Sequence, residues 1–118
     1  MERILKIREY VNDIIDNIPS DEEQNIARIH TYGVAQLSTM IASKRGLDPE
    51  LAHISGLLHD SYTYFTGSSL FHAISGAEMA RTAIRDMNIF TEKEKEIILS
   101  AIFTIQIKIT FMMNMMKC

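Results

Sequence analysis

The sequence has a single cysteine, Cys118, two prolines, five glycines and no tryptophan. One thiol rules out an internal disulfide framework, and a reducing cytoplasm is the expected compartment. So few prolines and glycines exclude collagen-like and low-complexity chains, and leave long uninterrupted segments free to be helical. No apolar run approaches the roughly 18 residues of a membrane span, and the start, Met1-Glu2-Arg3-Ile4, lacks a leader's apolar stretch. A net charge of −3 removes any bulk attraction to polymeric nucleic acid or to an anionic membrane. What is there is 118 residues, 47% apolar and 23% charged, enough for one domain that buries roughly two-thirds of its unfolded surface.

A further absence is local. All fifteen acidic residues lie at or before Glu96, and four of the eight methionines are Met112, Met113, Met115 and Met116. Residues 1–96 hold ten Lys and Arg against those fifteen acids, net −5, whereas residues 97–118 hold only Lys108 and Lys117, net +2.

Ile4, Ile7, Val11, Ile14 and Ile18 alternate steps of three and four, the pattern of an amphipathic helix closed by Pro19. Ser20-Asp21-Glu22-Glu23 has the form of a capping box and opens a second helix to about Lys44, with Gly46 as its left-handed terminator. Asp48-Pro49-Glu50 restarts a helix that carries Leu51, Ile54, Leu57 and Leu58 and reaches His59-Asp60. Ser61 to Leu70 reads as a loop whose Tyr62, Tyr64 and Phe65 could cover a site. A helix over about 72–87 follows, and Thr91-Glu92-Lys93-Glu94 caps a last one through Ile97, Ile98 and Ala101. The fold expected is all-α, a bundle of about five helices, with no P-loop, dinucleotide-binding glycine pattern or internal repeat.

Of the four histidines, His53 is read as an ordinary surface or hydrogen-bonded residue. His59-Asp60 differs, because it ends the apolar run Ile54 to Leu58, and an imidazole and a carboxylate buried there need a cation or hydrogen-bond partners. Adjacent helical residues point about 100° apart, so both reach one metal only near the end of a helix, which is where they stand. His30, in the middle of the preceding long helix, is the natural second imidazole. That mixed nitrogen and oxygen set suits Mn, Fe, Co, Ni or Zn, with Mg less favoured, and three ligands leave positions open for water and substrate.

His30, then Gly56-Leu57-Leu58-His59-Asp60, then His72 in His72-Ala73-Ile74-Ser75-Gly76-Ala77-Glu78 resembles the HD-domain metal-dependent phosphohydrolases over about residues 25 to 103. The resemblance implies an HD-type helical bundle in which His30, His59 and Asp60 hold a divalent metal, with Asp60 part of the catalytic centre. It implies that His72 binds a second metal or the substrate phosphate, and that a further Asp from a later helix completes the site. The activity implied is hydrolysis of a small phosphorylated substrate, a nucleotide among the candidates. One departure is that many members carry a Lys soon after the pair, where this chain has Ser61-Tyr62-Thr63-Tyr64.

The same resemblance calls for another His after Ala101-Ile102-Phe103 and then an acidic stretch, where this chain has Thr104-Ile105-Gln106-Ile107 and the methionine cluster. Removing one base near Phe103 would produce this. In the alternative frame adjacent Met codons can only read GAT, which is Asp, and Met112 to Cys118 become Asp-Glu-(Tyr or His)-Asp-Glu-(Val or Met). The upstream codons permit FHHSDKDHIHDEYDEV, which restores both the His and the acidity. Residues 1–103 are therefore expected to be an incomplete phosphohydrolase domain, and 104–118 an out-of-frame or disordered tail. Ile105, Ile107, Ile109 and Phe111 alternate with polar residues, a strand-like period that predicts self-association of the tail or disorder. The rival expectations are a non-catalytic helical module that binds a metal or ligand for regulation, and an interaction protein that uses the methionine tail.

Overall fold

A computed structural model describes residues 2–66 and 72–116, and of these the side chains outside 72–75, 106–114 and 116. The described residues form six helices and no strand: α1 (Glu2–Asp16), α2 (Asp21–Lys44), α3 (Pro49–Leu58), α4 (Ser61–Thr66), α5 (His72–Met87) and α6 (Glu92–Met116). The all-α architecture expected from the sequence is the one observed. None of the described helices is long and apolar enough to cross a membrane.

The helix ends obey local chemistry. Ser20 Oγ accepts from the Glu23 amide at 3.3 Å, and Asp48 accepts from the Glu50 and Leu51 amides at 2.9 and 3.2 Å, with Pro49 in the first turn. At Thr91 the box is reciprocal: the Glu94 amide donates to Thr91 Oγ1 at 3.1 Å and the Thr91 amide to Glu94 Oε1 at 2.9 Å. Gly46 stands at φ 72° beyond α2, where the Leu47 amide returns to the Ala42 carbonyl at 2.9 Å, a left-handed termination that glycine adopts without strain. Gln24 closes the corner between α1 and α2 by donating to the Ile18 carbonyl at 2.7 Å.

α3 is the central element, packed against α1, α2 and α6. Its Leu51, Ile54, Leu57 and Leu58 are buried with Ile7, Val11 and Ile15 of α1, Ile84 of α5 and Ile98 and Ile102 of α6. The enclosed seam of α1 thus takes Ile15, and Ile14 is only half-buried. The reason is geometric: Ile7, Val11 and Ile15 repeat every four residues and stack on one line, while Ile14 is turned about 100° from Ile15. Arg3 binds the starts of three segments together. Its guanidinium pairs with Glu50 of α3, donates to Glu94 of α6 at 2.9 Å and lies 4.9 Å from the centre of the Phe90 ring.

Two segments depart from the sequence-based expectation. The start of the expected Ser61–Leu70 loop is helical as α4: the Tyr64 amide donates to the Asp60 carbonyl at 3.1 Å, and no glycine or proline interrupts the chain before Gly67. Residues 67–70 of that loop lie outside the described residues. The second departure concerns the last helix, expected through Ala101: the backbone continues α6 past the alternation at Thr104–Phe111 to Met116. The Thr91 box nucleates this helix, no Gly or Pro stops it, and extension fixes one residue per hydrogen bond gained, so β-branched residues follow where the helix is already formed.

Candidate metal centre

Two helices and the turn after one of them build the site. His30 lies mid-way along α2, and His59 and Asp60 follow the last residue of α3. α2 and α3 can bring them together because Gly56 lies against Ala35. A Cβ on Gly56 would stand 2.6 Å from Ala35 Cα and 2.9 Å from its amide nitrogen, so only glycine permits this approach. The Gly56 carbonyl also accepts from His59 Nδ1 at 2.6 Å. One residue therefore sets the distance between the helices and the orientation of the ring.

The Nδ1 contact fixes the chemistry of His59. A backbone carbonyl can only accept, so Nδ1 carries the proton and Nε2 presents its lone pair. That Nε2 lies 3.1 Å from His30 Nε2 and 3.0 Å from Asp60 Oδ2, and His30 Nε2 lies 2.8 Å from the same carboxylate oxygen. His59 is fully buried, the Asp60 side chain 13% exposed and that of His30 40% exposed, so the triangle is open to solvent on the His30 side.

The donor set fits a divalent cation. Three donors each about 2.1 Å from one ion and at right angles to one another would be about 3.0 Å apart, and the three observed separations cluster around that value. Two imidazoles and one carboxylate would hold such an ion and, as three donors, would leave it able to take water or substrate. The same crowding suits a positive charge between them: Nε2 of His59 and Oδ2 of Asp60 are both acceptors 3.0 Å apart, and a proton on His30 or a cation would relieve that contact. Accordingly, hydrogen bonding to Asp60 holds the His30 imidazole above its ordinary value of 6.5, against the opposing effect of burial.

Around the triangle, Tyr64 of α4 is hydrogen-bonded to Asp60, and burial is the chief cause that pushes its phenol up to about 12. Thr31, fully buried beside His30, donates to the Tyr64 hydroxyl at 3.4 Å. Gly76 of α5 passes close by, where an added Cβ would be 3.8 Å from the His59 carbonyl.

His30, His59 and Asp60 are thus brought together, and among the described residues they are the one such group of potential ligands. His53 is elsewhere: its Nδ1 is 3.0 Å from Thr39 Oγ1, as expected of a hydrogen-bonded histidine. His72 begins α5, but its side chain lies outside the described residues. Tyr64 and Phe65 do stand by the site, while Tyr62 does not line the cavity next to it. Thr31 and the double role of Gly56 were not anticipated from sequence. A glycine inside an apolar helical run was the available signal, since it costs helix stability unless another backbone comes close.

A family model described as HD domain matches residues 28–108, which include His30, His59, Asp60 and His72. The chain belongs to the HD domain family. No significant match to it exists among curated proteins or among solved structures. HD domains are generally metal-dependent hydrolases, and the His30, His59, Asp60 triangle gives this HD domain a group able to hold a metal.

Proposed function

We propose that this HD domain is a divalent-metal-dependent phosphohydrolase that acts on a nucleotide or another small phosphoester. The observation that carries the reading is the triangle of donors about 3 Å apart with the His59 tautomer fixed by Gly56. His30, His59 and Asp60 would hold the metal, which when bound supplies an activated water and a positive charge for the phosphoryl oxygens. Asp60 brings the one negative charge of the set, with Tyr64 orienting it by a hydrogen bond. His59, with Nδ1 held by the Gly56 carbonyl, would offer Nε2 to the metal. His72 is proposed, on the family resemblance, to contact the phosphate.

A second reading has an observation of its own. No His, Asp or Glu follows Glu96, so nothing in the last 22 residues can supply the further ligand that the resemblance implies. On this reading the domain binds a metal or ligand for regulation and does not turn over. We propose that the missing ligands reflect a shifted frame from about residue 104.

The test is hydrolysis of p-nitrophenyl phosphate and of a nucleotide with added Mn2+, for the chain as it stands and for a variant carrying the restored segment. Turnover that disappears in Asp60→Asn supports the hydrolase. Metal binding without turnover in both chains supports the regulatory module and ends the first reading.

A further inference from the structure

A cavity of about 580 Å3 opens beside the triangle, and His30 and Tyr64 form part of its wall. Since His30 belongs to the donor set and Tyr64 is hydrogen-bonded to Asp60, whatever is held at the triangle has this cavity as its neighbour. The volume lies within the range of about 300–1,000 Å3 typical of small-molecule sites. Ile18, Ile26 and Phe65 supply its apolar lining, and Ile26 and Phe65 are 59% and 61% exposed. Large apolar groups left facing water next to a polar centre mark a surface that a ligand covers.

The charges are as informative. Among the described lining residues there is no Lys or Arg, and Glu23 is the acidic one. A diphosphate or triphosphate tail, or a second carboxylate, demands guanidinium or ammonium donors and is repelled by a glutamate. An uncharged ring or hydrocarbon demands neither.

We infer that the substrate carries a single phosphate, held at the triangle, on an uncharged apolar or aromatic body that lies in this cavity against Ile18, Ile26 and Phe65. The inference rests on the phosphohydrolase reading for the placement of the phosphate. It narrows the substrate class to monophosphate esters of aromatic or apolar groups, nucleoside monophosphates included, over nucleoside triphosphates and sugar bisphosphates.

Binding tests it independently of turnover. With the whole chain and Mn2+, calorimetry should find phenylphosphonate bound about tenfold more tightly than methylphosphonate, and phosphonoacetate no better than methylphosphonate. Ile26→Glu should bring the phenyl-to-methyl ratio to within about twofold, while Ile26→Leu, apolar at the same place, should keep it. Equal affinities for the phenyl and methyl compounds, tighter binding of phosphonoacetate, an unchanged ratio in Ile26→Glu, or no measurable binding of any phosphonate overturns the inference. Hydrolysis of phenyl phosphate by the same sample separates the two claims. A phenyl preference without hydrolysis keeps the cavity assignment and removes the hydrolase, and hydrolysis without the preference does the reverse.

Discussion

The seam between α2 and α3 and the far half of α6 are both helical, yet the histidines and the carboxylate that could hold a metal stand at the seam. At the seam each feature has a partner: Gly56 admits Ala35, its carbonyl holds His59, and His59 meets His30 and Asp60. Beyond Ile102, α6 continues with no acidic residue and no histidine, and Phe103 and Met115 are exposed. A helix can be extended by propensity alone, but a site is made only where close packing and oriented donors coincide.

The largest effect is expected at the triangle. His59→Ala or Asp60→Asn should weaken Mn2+ binding by about 100-fold or more, measured by titration calorimetry, with the helical circular dichroism retained. Gly56→Ala comes next. Its methyl would meet Ala35 backbone at 2.6 Å, so a loss of about 1–3 kcal/mol in urea unfolding and a weakened metal site should appear together. At the other region, replacing residues 104–118 by the restored acidic segment should tighten Mn2+ binding by about tenfold if a ligand is regained. An unchanged affinity would mean that the native frame is the one seen.

A smaller, pH-dependent effect is expected away from both. Arg3 holds Glu50 and Glu94 below the ordinary carboxyl value of 4.5. Carboxyls with lowered values stabilise the fold above pH 4.5, and that contribution fades as pH falls through the lowered values. Arg3→Ala should therefore cost about 1 kcal/mol at pH 7, and the difference from the parent should shrink steadily below pH 4.5. The smallest effect is expected for His53→Gln, which should alter Mn2+ affinity less than about twofold, because His53 is engaged with Thr39.

Much of this was legible in the chain, for identifiable reasons. Ser20, Asp48 and Thr91 act through bonds to residues two or three positions away, so local sequence suffices to place the helix starts. His30, His59 and Asp60 were legible because an ordered set of motifs, and not one dipeptide, carried them. The exchange of Ile14 for Ile15, the helix at Ser61–Thr66 and the continuation of α6 were not, since each depends on what packs nearby or on where a helix fails to stop. Thr31 and Tyr64 meet each other across 33 positions of sequence, and such a contact leaves no local trace.

On the proposed function, His30 and His59 present their Nε2 atoms to one metal ion. Titration of 15N-labelled protein with Zn2+, followed through the imidazole nitrogens, reads this atom by atom. The prediction is that at one equivalent the Nε2 resonances of His30 and His59 move to the metal-coordinated range while His59 Nδ1 stays protonated and His53 is unmoved. Zinc bound at one equivalent with both of those Nε2 resonances in place would contradict it.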